Sequence, residues 1–135
     1  MAINEIKEGD IILARHIPSS DAWTSGLKFF SPDEEYQQVG TWNYDQGKQL
    51  LPHAHNEVAR TVLWTQEILY IRSGKIKAKI FGINGQEVAE LLVRSGDILA
   101  LLLGGHGYEI LEDGTQVLEI KNGPYVGADA DRRRL

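Results

Sequence analysis

Apolar and polar residues alternate along much of this sequence, in short runs separated by glycine. After Lys75 the lysines alternate with Ile76, Ala78 and Ile80, and residues 116–121 alternate in the same way. A period of two is typical of β-strands that turn one face toward a core. Strong turn signals separate the runs, namely Ser73-Gly74, Asn84-Gly85 and Asp113-Gly114. The pattern predicts antiparallel strands joined by tight hairpins.

The same criteria predict strands along most of the chain and no helix of adequate length. A first apolar run covers residues 10–14, and residues 19–32 are rich in Pro, Ser, Asp and Gly, which predicts a loop. Further strands are predicted at 37–44, 48–55, 61–73, 75–81, 87–93, 97–103, 108–111 and 115–121. Many short strands with regular turns are typical of a β-sandwich or barrel. We expect one all-β domain over residues 1–135, with a barrel at roughly 36–121 after an N-terminal strand and loop at 1–35.

Composition limits the classes of partner. The chain has 14 Lys and Arg against 19 Asp and Glu, a net charge of -5 that argues against nucleic-acid binding. The basic cluster Arg132–Arg134 is interpreted as a solvated end. Absence of cysteine excludes disulfides and thiolate metal ligands. The N-terminal residues lack the features of a signal peptide, and the apolar run 98–103 is too short to cross a bilayer. We expect a cytoplasmic protein with no membrane partner.

Three of the four histidines form the most informative pattern. His53 and His55 are separated by one residue, so on a strand both side chains project from the same face. Glu67 and His106 follow later in the chain. Imidazole nitrogens and a carboxylate are a common ligand set for divalent first-row transition metals. We therefore predict a metal site, and interpret the remaining histidine, His16, as a surface residue.

Glycines flank these residues at regular spacings. Gly47 precedes His53 with five residues between them, Gly74 follows Glu67 after six, and a strand that opens at Gly96 ends in Gly104-Gly105-His106. This arrangement resembles the two sequence motifs of the cupin superfamily, over residues 47–108. The resemblance implies a small antiparallel jelly-roll barrel, the cupin-type double-stranded β-helix, with a metal inside. It also implies that the metal ligands are His53, His55, Glu67 and His106.

The sequence departs from the cupin motifs in two places. Eleven residues separate His55 from Glu67, where the family pattern has three or four, and we interpret residues 56–65 as an extended hairpin. Glu57 is a rival carboxylate because it lies closer to His55, but Glu67 alone keeps the spacing to Gly74. The proline usual before the last histidine is missing, with Leu102 and Leu103 in its region. That proline shapes a turn and is not a ligand, so we still predict the site.

Four further residues are candidates for substrate binding. Arg60 and Gln66 lie beside the predicted ligands, and an arginine suits a carboxylate or phosphate group. A solvent-facing arginine on the inserted hairpin is an equally good interpretation of Arg60. Tyr70 and Tyr108 could line the cavity or belong to the core, and strand alternation places Tyr108 on the face of His106.

The cupin resemblance implies a metal-dependent enzyme acting on a small polar molecule of the sugar or carboxylate type. Dioxygenases and isomerases or epimerases are among the implied classes. The ligand set does not distinguish Fe, Mn, Ni, Zn and Co. The alternatives are a non-catalytic module that binds or senses a metal and a ligand, and a metal-free barrel that functions by dimerisation. Small cupins commonly pair through an edge strand, so we expect a homodimer.

Overall fold

The computed structural model describes residues 3–135, and short β-strands dominate it. The all-β class predicted from the sequence is confirmed. None of the helices in residues 3–135 is long and apolar enough to span a bilayer. In chain order the elements are β1 (Asn4–Glu8), β2 (Ile11–Ile17), α1 (Ser19–Ala22), β3 (Gly26–Phe29), β4 (Gly40–Asn43), β5 (Glu67–Ser73), β6 (Lys75–Phe81), β7 (Glu87–Arg94), β8 (Ile98–Leu101), β9 (Gly105–Ile110), β10 (Gln116–Lys121) and α2 (Ala128–Asp131).

The strands form antiparallel sheets, none of which closes into a barrel in the described range. One sheet has the order β1-β2-β8-β5-β10, a second has the order β7-β6-β9, and β3 pairs with β4. The predicted turn at Gly74 is confirmed, because this residue joins β5 to β6 with a φ of +88°. A Cβ at Gly74 would overlap Thr115 Oγ1, so the turn requires glycine for both its conformation and its space.

The five-stranded sheet is covered on both faces by apolar side chains. On one face, Leu69 and Ile71 of β5 pack with Ile76 and Ile80 of β6, which joins the two larger sheets. On the other face, a second cluster contains Ile68, Ala100, Ala22 of α1, Phe30 and Val39. Successive residues of β5 therefore serve two different cores, and only its odd-numbered residues face the space between the sheets.

His16 is buried, with 4% of its surface exposed, so its prediction as a surface residue was wrong. It belongs to β2, which extends beyond the apolar run predicted at residues 10–14 and pairs with β8. His16 Nε2 donates to Asp97 Oδ2 at 2.8 Å. Asp97 also accepts hydrogen bonds from the backbone N–H groups of Ser19 at 2.8 Å and Arg94 at 2.9 Å. This carboxylate ties β2 and α1 to the turn between β7 and β8.

Residues 44–66 form no helix or strand. The strand predicted at 48–55 and the hairpin predicted at 56–65 are not formed, and the strand predicted from residue 61 begins at Glu67 instead. Apolar side chains of this segment face solvent, with Leu51 82% and Leu63 74% exposed. An irregular segment of this length is uncommon inside a compact domain, and such segments are usually either functional loops or linkers.

Within residues 3–135, β9 and β10 each have one edge with no paired strand. β9 ends the order of the three-stranded sheet, β10 ends that of the five-stranded sheet, and a short turn joins the two strands. Side chains that point inward from these strands are only partly covered, with Ile110 59% and Val117 37% exposed. We call the opening between the free edges of β9 and β10 the mouth.

Candidate metal centre

Glu67 and His106 meet at the mouth, although their strands belong to different sheets. Glu67 is the first residue of β5, and His106 lies near the start of β9, opposite Ile80. His106 Nε2 donates a hydrogen bond to Glu67 Oε2 at 2.5 Å. The Glu67 side chain is 8% exposed and that of His106 33% exposed. Two of the four predicted ligands are therefore adjacent, with the imidazole accessible from solvent.

Strand alternation explains why these side chains point into the same space. Glu67 shares the inner face of β5 with Leu69 and Ile71, and His106 shares the inner face of β9 with Tyr108. The rings of His106 and Tyr108 are stacked, with centroids 5.4 Å apart. Tyr108 is thus the one candidate substrate-binding residue that the structure brings to the ligand pair.

Glu119 and Lys121 complete this cluster, and neither was predicted from the sequence. They lie two residues apart on β10 and face inward, with Lys121 opposite Glu67. Lys121 Nζ lies 3.3 Å from Glu67 Oε1 and 3.6 Å from Glu119 Oε2. Lys121 therefore contacts both carboxylates. Charged residues at alternate positions of the predicted strand at 115–121 were the available signal.

The cluster keeps Glu67 ionised. Burial raises the pKa of Glu67, but hydrogen bonds from His106 and Glu119 and the positive charges of His106 and Lys121 outweigh burial and lower this pKa to about 2. The hydrogen bond with Glu67, together with burial, raises the pKa of Glu119. Since the carboxylate form is the one that binds cations, Glu67 is in the correct state for a metal ligand at neutral pH.

The same carboxylates shift the pKa values of two neighbouring groups. Burial and the negative charges of Glu67 and Glu119 raise the pKa of Tyr108 well above its usual value, so its phenol stays protonated. Burial lowers the pKa of Lys121, but the charges of Glu67 and Glu119 raise it by more, and Arg132 acts in the lowering direction. Lys121 therefore stays a cation at neutral pH.

His53 and His55 lie in the irregular segment 44–66, apart from this cluster. Their ring centroids are 5.1 Å apart and both side chains are exposed. The rival carboxylate Glu57 is in the same segment and is also exposed. No group of three or more His, Asp or Glu side chains within residues 3–135 is arranged to hold a metal ion. The four predicted ligands are thus present as two pairs, and each pair offers donors that suit a transition metal.

Three of the candidate substrate-binding residues are not brought to the mouth. Arg60 is exposed in segment 44–66, where its guanidinium donates to the Val58 carbonyl at 3.3 Å. Gln66 is buried on the opposite side from Glu67, and its Oε1 accepts from the Tyr36 backbone N–H at 2.8 Å. Tyr70 lies on the outer face of β5 and packs edge-on against Trp23, with ring centroids 5.7 Å apart. The structure gives Gln66 and Tyr70 packing roles.

A surface hollow of about 490 Å³ lies elsewhere and includes Arg15 and Glu5 in its lining. Arg15 is 4% exposed, and Glu35 holds its guanidinium with two hydrogen bonds of 2.8 Å. Glu5 accepts a third hydrogen bond, at 3.0 Å. Because its charge is already neutralised by two carboxylates, Arg15 is not available to bind a ligand, and we do not place the site in this hollow.

Comparisons with protein-family models, with curated proteins and with solved structures found no match to this chain. The resemblance to cupins therefore rests on the motif residues at 47–108. The structure contributes a separate observation, since it brings together Glu67 and His106 from the two motifs.

Proposed function

We propose that this protein binds a divalent transition-metal ion through His53, His55, Glu67 and His106, and that it is a metal-dependent enzyme acting on a small polar molecule. The contact between Glu67 and His106 carries the proposal. These residues are far apart in sequence and come from separate motifs, yet their polar atoms are 2.5 Å apart at a solvent-accessible opening. A bound metal would supply Lewis acidity or activate oxygen.

The irregular segment 44–66 can pair with a free strand edge at the mouth. Its end is fixed at the mouth, because Glu67 follows it directly. The free edge of β9 offers a row of unpaired backbone N–H and C=O groups. A strand formed near residues 51–57 along that edge would bring His53 and His55 beside His106. Residues 44–50 would then lie near the free edge of β10.

Closure of the mouth in this way would complete a jelly-roll barrel of the cupin kind. It would cover the inward side chains of β9 and β10, Ile110 and Val117 among them, and give the exposed Leu51 and Leu63 apolar neighbours. Burying these groups is favourable by about 25 cal/mol per Å² of apolar surface. The metal–ligand bonds would add to this and offset the loss of chain entropy.

Glu119 favours an enzyme over a sensing module. It is a carboxylate outside the predicted ligand set, and Lys121 links it to Glu67, because Lys121 Nζ lies 3.6 Å from Glu119 Oε2 and 3.3 Å from Glu67 Oε1. A carboxylate beside a metal ligand can accept or donate a proton while the ligands stay bound to the metal. Tyr108, stacked on His106, would orient the small molecule through its phenol.

We also propose that the protein is a cytoplasmic homodimer. Leu27, Phe29 and Trp42 lie on one face of the β3–β4 hairpin, and each is more than half exposed. Large apolar side chains grouped on a surface are typical of protein interfaces. Light scattering should give twice the chain mass of 15.1 kDa, and the mass of a single chain would contradict the dimer.

Metal content tests the proposed function. The protein, purified without chelator and dialysed with Co²⁺ or Zn²⁺, should retain about one ion per chain. His53→Ala, His106→Ala and Glu67→Gln should lose tight binding, while Glu57→Gln should keep it. Glu109→Gln, on the outward face of β9, is the matched control.

Less than about a tenth of an equivalent of metal in the wild type would contradict the proposal. Loss of metal in Glu57→Gln but not in Glu67→Gln would assign the carboxylate ligand to Glu57 instead. If ligand variants abolish small-molecule binding and the wild type turns over no substrate, the sensing module replaces the enzyme.

A further inference from the structure

The last residues of the sequence are attached to both sides of the mouth. On one side, the Thr65 hydroxyl donates a hydrogen bond to the Asp131 carboxylate in α2. On the other side, Leu135 packs at the start of β9, where a Cβ at Gly105 would overlap its side chain. We call residues 128–135 the latch.

The latch crosses the end of the mouth at which Glu67 and His106 meet. Thr65 lies two residues before Glu67, and Gly105 directly precedes His106. The latch therefore spans the same gap as the hydrogen bond between these two side chains. The chain leaves α2 extended, with a φ of -140° and a ψ of 160° at Arg132. Four residues in such a conformation reach up to about 13 Å, enough to connect the two attachments.

The basic cluster Arg132–Arg134 lies inside the latch. It was interpreted from the sequence as a solvated end, and its side chains are indeed exposed. The backbone on both sides of the cluster is nevertheless held, by Asp131 before it and by Leu135 after it. The Arg133 guanidinium also donates to the Ile83 carbonyl at 3.3 Å, in the turn between β6 and β7. The segment is therefore a bridge between two attachments.

The chain is fixed firmly before the latch and weakly along it. Asn122, the residue after β10, accepts from the Gln66 backbone N–H at 2.7 Å and donates to the Trp64 carbonyl at 3.2 Å. Beyond this anchor, Tyr125 and Val126 are 74% and 67% exposed, so the connection packs against little. A helix of one turn, such as α2, has little stability of its own. Segments with few buried contacts open at low cost while the rest of a protein stays folded.

We infer that the latch is a gate. While closed, it limits access to Glu67 and His106, and it admits a small polar molecule when its contacts through Asp131 and Leu135 break. The anchor at Asn122 stays in place, and the latch swings on residues 123–127, which have glycine at both ends. The inference goes beyond the proposed function, because the gate would act on any ligand of the mouth and requires no metal.

Modification of the histidines by diethyl pyrocarbonate in the presence of chelator tests the gate. This small electrophile acylates accessible imidazole nitrogens, and mass spectrometry gives the rate at each histidine. Asp131→Ala and Leu135→Ala should each raise the rate at His106 by about threefold or more, since each removes a contact that holds the latch closed. The double variant should exceed either single one.

The chain offers controls for each part of this experiment. Asp129→Ala is the matched variant, because Asp129 is exposed on the same turn of α2, and it should leave the rate at His106 unchanged. The rates at His53 and His55, which are already exposed, should not change in any variant. His16 is 4% exposed, so its modification reports unfolding of the whole domain.

A disulfide tests the opposite direction. The chain has no cysteine, and combining Thr65→Cys with Asp131→Cys places two thiols where the side chains now contact each other. Oxidation should hold the latch closed and lower the rate at His106 below that of wild type, and reduction should restore it.

Unchanged rates at His106 in both Asp131→Ala and Leu135→Ala would overturn the inference. An oxidised double-cysteine variant that is modified as fast as its reduced form would also overturn it. So would a rise at His106 matched by an equal rise at His16, since unfolding would then be the cause. Because every sample is free of metal, failure here leaves the proposed function standing, and a wild type that binds no metal leaves the gate standing.

Discussion

Glu67 and His106 are joined by a 2.5 Å hydrogen bond between strands that do not pair with each other. The bond links the inner faces of the two larger sheets at the point where these sheets separate. A hydrogen bond between an imidazole N–H and a buried carboxylate is stronger than one between neutral groups. It therefore holds the mouth in shape without a metal and keeps two of the proposed ligands in place.

This bond predicts a pH dependence of stability in the metal-free protein. The pKa of Glu67 is lowered to about 2 in the folded state, whereas a glutamate in an unfolded chain has a pKa of about 4.3. A group whose pKa is lowered by folding stabilises the protein above its unfolded value, and this contribution is lost as the pH falls through the folded value. The difference in free energy of unfolding between wild type and Glu67→Gln should be constant above about pH 5.5 and should shrink below about pH 4.5.

Urea unfolding in the presence of chelator measures this difference between about pH 7 and pH 2.5. Glu109→Gln, at the exposed position on β9, should differ from wild type by a small amount that changes little over the same range. A difference for Glu67→Gln that stays constant or grows as the pH falls would show that the contact does not stabilise the ionised carboxylate.

The irregular segment 44–66 should become ordered when the metal binds. Without metal, its backbone amides should exchange rapidly with solvent, because the segment forms no helix or strand. With Zn²⁺, we expect protection near residues 51–57 and along β9, since pairing with the free edge would protect both. Hydrogen exchange read by mass spectrometry checks this, with His106→Ala plus Zn²⁺ as the control. Full Zn²⁺ binding with no change in exchange would contradict the proposed closure.

Asp97 should be among the residues that matter most for stability outside the mouth. It accepts hydrogen bonds from His16 and from two backbone N–H groups, and it is 4% exposed. Asp97→Ala leaves these donors unpaired, which should reduce the free energy of unfolding by about 2–4 kcal/mol. Asp113→Ala, in the exposed turn before β10, should change it by less than about 0.5 kcal/mol. A loss below about 1 kcal/mol for Asp97→Ala would show that water satisfies the donors equally well.

The sequence predicted best those strands whose pairing is local. Lys75–Phe81 has the predicted bounds of β6, because its alternation is regular and the turn at Gly74 fixes where it begins. The segment 48–55 also has apolar residues, but the strands that it could join are β9 and β10, far along the chain. The pattern of residues within a segment does not show whether it pairs with the edge of a strand that is distant in sequence.

Prediction of the candidate site from the sequence has the same limit, because its contacts join residues that are distant in the chain. The motif spacings named Glu67 and His106, and the structure brings them together. Glu119 and Lys121 were missed because the pattern of β10 suggests that its apolar residues Leu118 and Ile120 face the space between the sheets. In the structure, Glu119 and Lys121 face that space instead. His16 was misjudged because its partner Asp97 lies 81 residues away. A buried polar residue is recognisable only once its hydrogen-bond partner is known.

The most direct measurement of the central claim is an NMR spectrum of the histidine ring nitrogens during titration with Zn²⁺. The chain has four histidines, and His16, bonded to Asp97 in the core, is an internal control. The signals of His53, His55 and His106 should change together and saturate at about one equivalent of Zn²⁺, while those of His16 stay unchanged. Changes confined to His53 and His55, or to none of the histidines, would contradict a metal site shared between segment 44–66 and the mouth.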